Sequence, residues 1–170
     1  MACGQRGGAL EITVLRCAEL LAPGTGIQLW DYLSSRVCLR PAGFDPMLNV
    51  LSIEDAAAGF VAAVRSRATG VFNLRGADTL PLSRAIAESH RHEIALPGAL
   101  LAPLYKLRTL TARFEFRYDL NVQRFHCGGV LDGSRARRAL DYEPRHHVRW
   151  PGPWPRMLVH RLIENRASLG

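Results

Sequence analysis

The sequence predicts a layered α/β fold. Short runs rich in β-branched residues alternate with segments of helical period. A capping signal, Ser52-Ile53-Glu54-Asp55, opens the strongest of those helical segments. Gly70 then separates it from Val71 to Leu74, an unalternating apolar run of the kind found in strands buried on both faces. Strands and helices taking turns along a chain build a sheet with helices layered on it.

Element by element, residues 1–10 hold no periodic pattern and read as an irregular leader. Glu11 to Arg16 alternate and suit a strand. Pro23 to Gly26 break it, and Ile27 to Ser35 can form a short helix. Val37 to Arg40 and Leu48 to Ser52 read as strands on either side of a turn over Pro41 to Pro46. After Ser52, Ala57, Phe60, Val61 and Val64 recur at i, i+3, i+4 and i+7, which predicts one buried helix face ended by Gly70. Thr79 and Pro81 open a helix through Glu88. A further helix is predicted over 98–112, with Leu100, Leu104 and Leu107 on one face, followed by an ambiguous aromatic stretch over 114–127. Asp132 is placed to cap a last helix over 133–140.

Composition narrows the classes. The 170 residues suffice for one domain with a core, and the apolar and charged fractions, 48% and 22%, argue against wholesale disorder. Glu11, Arg16 and Glu19 interrupt the first apolar stretch, so it fits neither a secretory signal nor a membrane span. The four cysteines, Cys3, Cys17, Cys38 and Cys127, are scattered without a CxxC pair, which points to reduced thiols and a cytoplasmic location. The net charge of +7 is spread over many arginines, a distribution that suits nucleotides, acidic lipid and nucleic acid alike.

Four segments in order carry a family resemblance: Leu15 to Gly24, Leu51 to Ala57, Gly70 to Leu74, and Asp132 to Ala136 with Leu140 to Pro144. Together they resemble the C-terminal half of the extended short-chain dehydrogenases/reductases, the NAD-dependent epimerase/dehydratase family. There the corresponding motifs read approximately Leu-Arg-Pro-x-Asn-Val-Tyr-Gly-Pro-Gly, Phe-Val-His-Val-x-Asp-x-Ala, Gly-Val-Phe-Asn-Leu and Asp-x-Ser-Lys/Arg-Ala…Leu-Gly-x-x-Pro. The resemblance implies a partial Rossmann-like architecture: C-terminal strands plus a substrate-binding α/β subdomain over 11–144. Beyond it lies a basic Trp/Pro-rich tail over 145–170. Departures are present: Glu19 stands where the family has Asn, Ala22 where it has Gly, Ser52 where it has His, Leu48 where Arg often grips a phosphate, and Asp141 where it has Gly.

The resemblance implies a substrate contact made by Glu19, Leu48, Asn49 and Ser52. It also places Cys17 and Ala18 beside the nicotinamide of an NAD or NADP once a cofactor-binding half is supplied. The implied partners are a nucleotide-sugar or similar small molecule and an N-terminal Rossmann half, with self-association where that half is missing. Nucleic acid is not expected.

Hydride chemistry needs a Gly-rich turn against the pyrophosphate and a proton donor. Gly24-Thr25-Gly26 is followed by Leu29 where a third glycine is required, so a turn ending a strand is the better reading. Four residues after Tyr32, Tyr105, Tyr118 and Tyr142 stand Arg36, Thr109, Val122 and His146, so no Tyr-x-x-x-Lys pair forms. No catalytic residue is assigned, and the chain alone is expected to be inactive. His90 with His92, and His146 with His147, lack the further ligands of a metal site and read as exposed turn histidines. A carboxylate at a strand's carboxyl end, Glu19, stands where open α/β sheets bind ligands, though it can equally pair with Arg16 or cap the next helix. In the tail, Trp154, Leu158 and Leu162 lie among Arg145, Arg149, Arg156, Arg161 and Arg166, a pattern open to peripheral membrane contact or packing on the chain's own domain. The alternatives to an enzyme's substrate-binding portion are a non-catalytic binding or regulatory module and a basic protein for acidic lipid or nucleic acid.

Overall fold

A computed structural model describes residues 11–23, 27–112 and 116–152. The leader, the Gly24 to Gly26 turn and the tail from Pro153 onward lie outside the described residues. Seven strands and six helices are seen among them: β1 (Thr13–Cys17), β2 (Glu19–Leu20), α1 (Gln28–Ser34), β3 (Val37–Pro41), β4 (Met47–Leu51), α2 (Ile53–Ser66), β5 (Gly70–Leu74), β6 (Asp78–Pro81), α3 (Leu82–Glu88), β7 (His92–Leu96), α4 (Gly98–Ala112), α5 (Tyr118–His126) and α6 (Ser134–Leu140). Every strand pairing with a defined register is parallel. This is a mixed α/β, partial Rossmann-like architecture.

The chain divides into two compact units. The first comprises, among the described residues, 11–20, 49–79 and 130–148. In it β1 pairs with β5, Thr13 opposite Gly70 through Cys17 opposite Leu74. β2 pairs with β4, Glu19 opposite Val50 and Leu20 opposite Leu51, in a sheet of order β2-β4-β6. The core gathers Ala18, Leu51, Ala63, Phe72, Leu74, Ala136, Leu140 and Tyr142.

Helix α2 starts where the capping signal places it: the Ser52 hydroxyl accepts the Asp55 N–H at 3.1 Å. Its buried face, however, is not the expected one. Phe60 is 53% exposed, Val64 is 79% exposed, and Val61 is also in solvent. The buried residues are Asp55, Gly59 and Ala63. The reason is close approach: a Cβ on Gly59 would lie 2.5 Å from a Leu74 methyl, so only small residues fit between α2 and the sheet. The large side chains, which dominate an apolar pattern, are turned the other way. The helix also stops earlier than expected, at Ser66, with Arg67 taking the left-handed conformation at φ 50.

The second unit comprises 21–48, 80–129 and 149–152 among the described residues. Its sheet pairs β3 with β7, Val37 opposite His92 through Pro41 opposite Leu96, with Arg40 bridging to Glu93 at 2.6 Å. The sequence pattern gave no sign of β7, because His92-Glu93-Ile94 carries no β-branched alternation. The ambiguous aromatic stretch resolves, where described, into α5. Its Tyr118 and Phe125 join Tyr32, Tyr105 and Phe116 in one ring cluster with centroids 5.1–5.7 Å apart. The last helix begins one residue beyond the expected start. The carboxylate of Asp132 accepts the Ser134 N–H at 2.9 Å, while Gly133 occupies the cap position itself.

Candidate functional site

The carboxyl ends of parallel strands are where open α/β sheets present their ligand-binding loops. In the first unit those ends bring together Cys17 to Glu19 after β1, Arg75 to Asp78 after β5 and Ser52 after β4. Cys17 is exposed and Ala18 is buried, its N–H donated to the Leu74 carbonyl at 2.8 Å. The part of the Cys17 side chain that is covered pushes its thiol pKa up. Glu19 is half-buried on β2.

Asn49 and Ser52 have internal work. The Asn49 amide N–H2 lies within reach of the Gly76 and Asp78 carbonyls and the Thr79 hydroxyl, at 3.2, 3.1 and 2.8 Å. Its oxygen accepts the Gly76 N–H at 3.0 Å. Gly76 is obligatory here, since a Cβ would fall 1.6 Å from the Val50 carbonyl oxygen. Ser52 is buried and caps α2. Asn49 thus shapes the loop after β5, and Ser52 fixes the start of α2. Leu48 is half-buried on β4.

Sequence reasoning missed a second buried, heavily bonded group. Asp55, 1% exposed, accepts the backbone N–H groups of Arg145 and His146, each at 2.9 Å, and its other oxygen meets His146 Nδ1 at 2.7 Å. Burial alone would raise its pKa. The hydrogen bonds from His146 and Arg145 outweigh that and hold the carboxyl below the ordinary range. One step along, Asp78 meets His147 Nδ1 at 2.7 Å and accepts the Val148 N–H at 2.8 Å. The hydrogen bond His147 makes to Asp78, and the charge of that carboxylate, raise the His147 pKa. The consecutive histidines, expected as plain turn residues, thus clasp the irregular segment 141–148 onto α2 and β6. The only trace of this in the sequence is His-His and two acids 91 and 69 positions away.

Beside this clasp, Arg75 and Arg137 both bridge to Glu143, at 3.1 and 2.8 Å. With Asp132, Ser134 and Tyr142 they line a small cavity of about 140 Å³. On the outer side of the same sheet, a groove of about 610 Å³ runs between β1 and α2, lined by Thr13, Leu15, Phe60, Ala63 and Val64.

Three of the four tyrosines are tied to backbone carbonyls. The hydroxyls of Tyr32 and Tyr105 both donate to the Leu39 carbonyl, and that of Tyr142 donates to the Arg75 carbonyl. Burial pushes all three pKa values up. Cys38, buried beside Ser35, is likewise pushed up to about 11 by burial. Among the described residues no group of three His, Cys, Asp or Glu side chains could hold a metal ion. Nor do the strands of the β1–β5 sheet fit a dinucleotide by themselves. Each leads directly into another strand, β2 or β6, where a pyrophosphate cradle needs a Gly-rich turn and a helix.

No family model matches the chain. Uncharacterized proteins of Mycobacterium tuberculosis and Mycobacterium bovis are 30% identical over 147 residues; the match covers 85% of this chain and 38% of theirs. The chain therefore spans well under half the length of these relatives. Among solved structures it is similar to the UDP-glucuronic acid 4-epimerase of Bacillus cereus, solved with UDP-glucuronic acid and NAD. That likeness has TM-score 0.56 and 14% identity over 81% of this chain and 41% of the other. The NAD complex of the Bordetella bronchiseptica enzyme WbmG gives TM-score 0.53 and 15% identity over 82% and 40%. The UDP-N-acetylglucosamine 4-epimerase of Bacillus cereus gives 0.52 and 16% over 84% and 44%. The fold is thus similar to part of these solved enzymes.

Proposed function

We propose that this chain is the substrate-side, C-terminal portion of an NAD(P)-dependent epimerase, dehydratase or reductase acting on a sugar nucleotide or similar small molecule, inactive on its own. One observation carries the reading. Among the described residues the β1–β5 pair is a parallel sheet of two strands, and every residue of β1 except Leu15 is exposed. Parallel sheets are otherwise covered on both faces, so β1 has the character of an interior strand without its neighbours. The lengths of the relatives and of the epimerase structures, each more than twice the matched part, agree with this.

In the assembled protein NAD or NADP is held by the other half. Cys17 and Ala18 then border the cofactor, and Glu19 is this unit's contact with the substrate. Asn49 and Ser52 position the loop and helix around it. No proton-transfer step is assigned to the described tyrosines.

The test is calorimetry of NAD and of UDP-glucuronic acid against the full chain, alone and mixed with the part of the mycobacterial relative that the chain does not match. Alone, the chain should show no micromolar NAD affinity. Mixed, NAD binding and turnover of a UDP-sugar should appear. Micromolar NAD binding by the chain alone would refute the reading. Tight sugar-nucleotide binding without turnover in the mixture would make this a binding module instead.

A further inference from the structure

We propose that two copies of this chain pair through the free edge of β1 and the exposed face of α2, as a closed dimer about a two-fold axis. The proposal starts from the same bare edge as the function proposed above, but it concerns the chain by itself and needs no second half.

The backbone decides what kind of group fits that edge. Along a strand the N–H and C=O of one residue point to the same side, and successive residues alternate. The Ile12 carbonyl accepts the Gly70 N–H at 3.0 Å, and the Ala18 N–H donates to the Leu74 carbonyl at 2.8 Å. Residues 12, 14, 16 and 18 therefore turn to β5. Thr13, Leu15 and Cys17 turn their main-chain groups the other way, to an edge that no described strand pairs with. Lipid offers such a row of donors and acceptors no partner in register, whereas another strand does.

The strand that fits is β1 of a second copy. A two-fold axis through Leu15, perpendicular to the sheet, sets the two strands antiparallel. Thr13 then lies opposite Cys17 of the second copy, and Leu15 opposite its own counterpart. All three outward residues fall in hydrogen-bonded pairs, about six bonds in all. The same axis brings the helices together. Phe60 and Val64 of α2 share a groove with Thr13 and Leu15, so they flank the β1 edge, and they are 53% and 79% exposed. The rotation lays the two α2 helices antiparallel on one face of the joined sheet and covers these side chains. Charge agrees with this arrangement. Helix α2 carries Glu54 in its first turn and Arg65 in its last, with Arg67 just beyond, lining the groove. Antiparallel copies set the acidic end of each helix beside the basic end of the other, with the helix dipoles likewise opposed. An apolar stripe alone suits many partners. A main-chain edge, the stripe beside it and oppositely charged helix ends, all satisfied by one two-fold axis, suit the chain's own copy.

The test is sedimentation of the full chain over a concentration series in the micromolar range. The expected result is a reversible monomer–dimer equilibrium without larger species, because pairing uses up the edge on both copies. V64E sets two acids into the helix contact and should weaken the dimer by roughly tenfold or more. C17P removes one outward N–H from each copy and should weaken it by roughly tenfold. Both should leave the melting temperature of the dilute monomer unchanged, since both side chains are exposed; V64E decides the matter if C17P fails to fold. T13C should trap the dimer on mild oxidation, through the native Cys17 of the second copy, and T13C/C17S should not. Residues so paired lie about 5.5 Å apart at Cα, within disulfide reach. A chain that stays monomeric, a dimer that V64E leaves unchanged, or growth into open polymers overturns the proposal. The readout is mass rather than NAD binding, so the dimer and the function proposed above stand or fall separately.

Discussion

Two strands of nearly the same composition meet opposite fates in this molecule. Val14-Leu15-Arg16-Cys17 forms most of β1 and Val37-Cys38-Leu39-Arg40 forms most of β3. Each pairs in parallel with a single five-residue partner. β1 lies almost wholly in solvent, whereas Cys38, Leu39 and Pro41 of β3 are buried. The difference lies in what each unit can lay over its sheet. The second unit brings α4 and α5 onto β3 and fills the space with five rings. The first unit brings α2 so close that only Gly59 and Ala63 fit beneath it, and β1 is left with a bare groove. A parallel pair closes only when the chain supplies its covering layers. The second unit does so for itself; the first, among the described residues, does not.

The largest expected effect tests the closed side of this comparison. Phe116→Ala empties the centre of the ring cluster and should cost about 3–5 kcal/mol, read as a fall in denaturation midpoint. A midpoint within error of the parent would mean that the rings do not close the second unit.

Next comes the clasp of the first unit. Asp55→Ala removes a buried acceptor of two backbone N–H groups and one imidazole, and about 1.5–3 kcal/mol of stability should go with it. Asp55→Asn should restore part of this, since its amide oxygen still accepts. If the Ala and Asn variants match the parent, the segment 141–148 is held by other contacts.

A smaller effect is set by pH. The Asp55 pKa is depressed, so its contribution is complete above the unfolded value, about 3.9, and is lost as pH falls through the folded value. The His147 pKa is raised, so its contribution is complete below about 6.5 and is lost as pH rises through the folded value. The clasp is therefore firmest in mildly acidic solution and loosens on both sides. His147→Ala should flatten only the alkaline side of a stability profile. A profile unchanged by His147→Ala would remove that histidine from the clasp.

The smallest effect is on the open side. Phe60→Ala, at a site half in solvent, should move the midpoint of the isolated chain by roughly 0.5 kcal/mol or less. A cost comparable to Phe116→Ala would show that α2 buries that face after all, and would erase the contrast between the units.

Helix α2 shows most directly how far the sequence could be read. Ser52 and Asp55 announced its start, because a cap is local chemistry within one turn. Its burial was misread, because the pattern of large apolar residues records a face that wants covering, not the face covered in this chain. The same holds on α4, where Leu100, Leu104 and Leu107 do share a face, and that face is exposed. Strand β7 was missed because its pairing with β3 comes from packing 53 or more residues away in sequence, not from its own alternation. The clasp was beyond reach for a like reason: nothing near Asp55 or Asp78 names His146 or His147. Glu19 was read at a strand's carboxyl end; it follows the end of β1 and opens β2. Asn49 and Ser52 were also picked out, but their hydrogen bonds turn inward.

The clasp also decides how this unit bears load. From Asp141 to Val148 the chain has no regular structure, yet it is tied first to Asp78 through Val148 and His147, and then to Asp55 through His146 and Arg145. Traction applied beyond Val148 must break these ties in sequence before any strain reaches Tyr142 or α6. The two aspartates thus act as successive strain reliefs. Whatever tugs on the chain past that point, the packing of Ala136 and Leu140 against the sheet is insulated until both have let go.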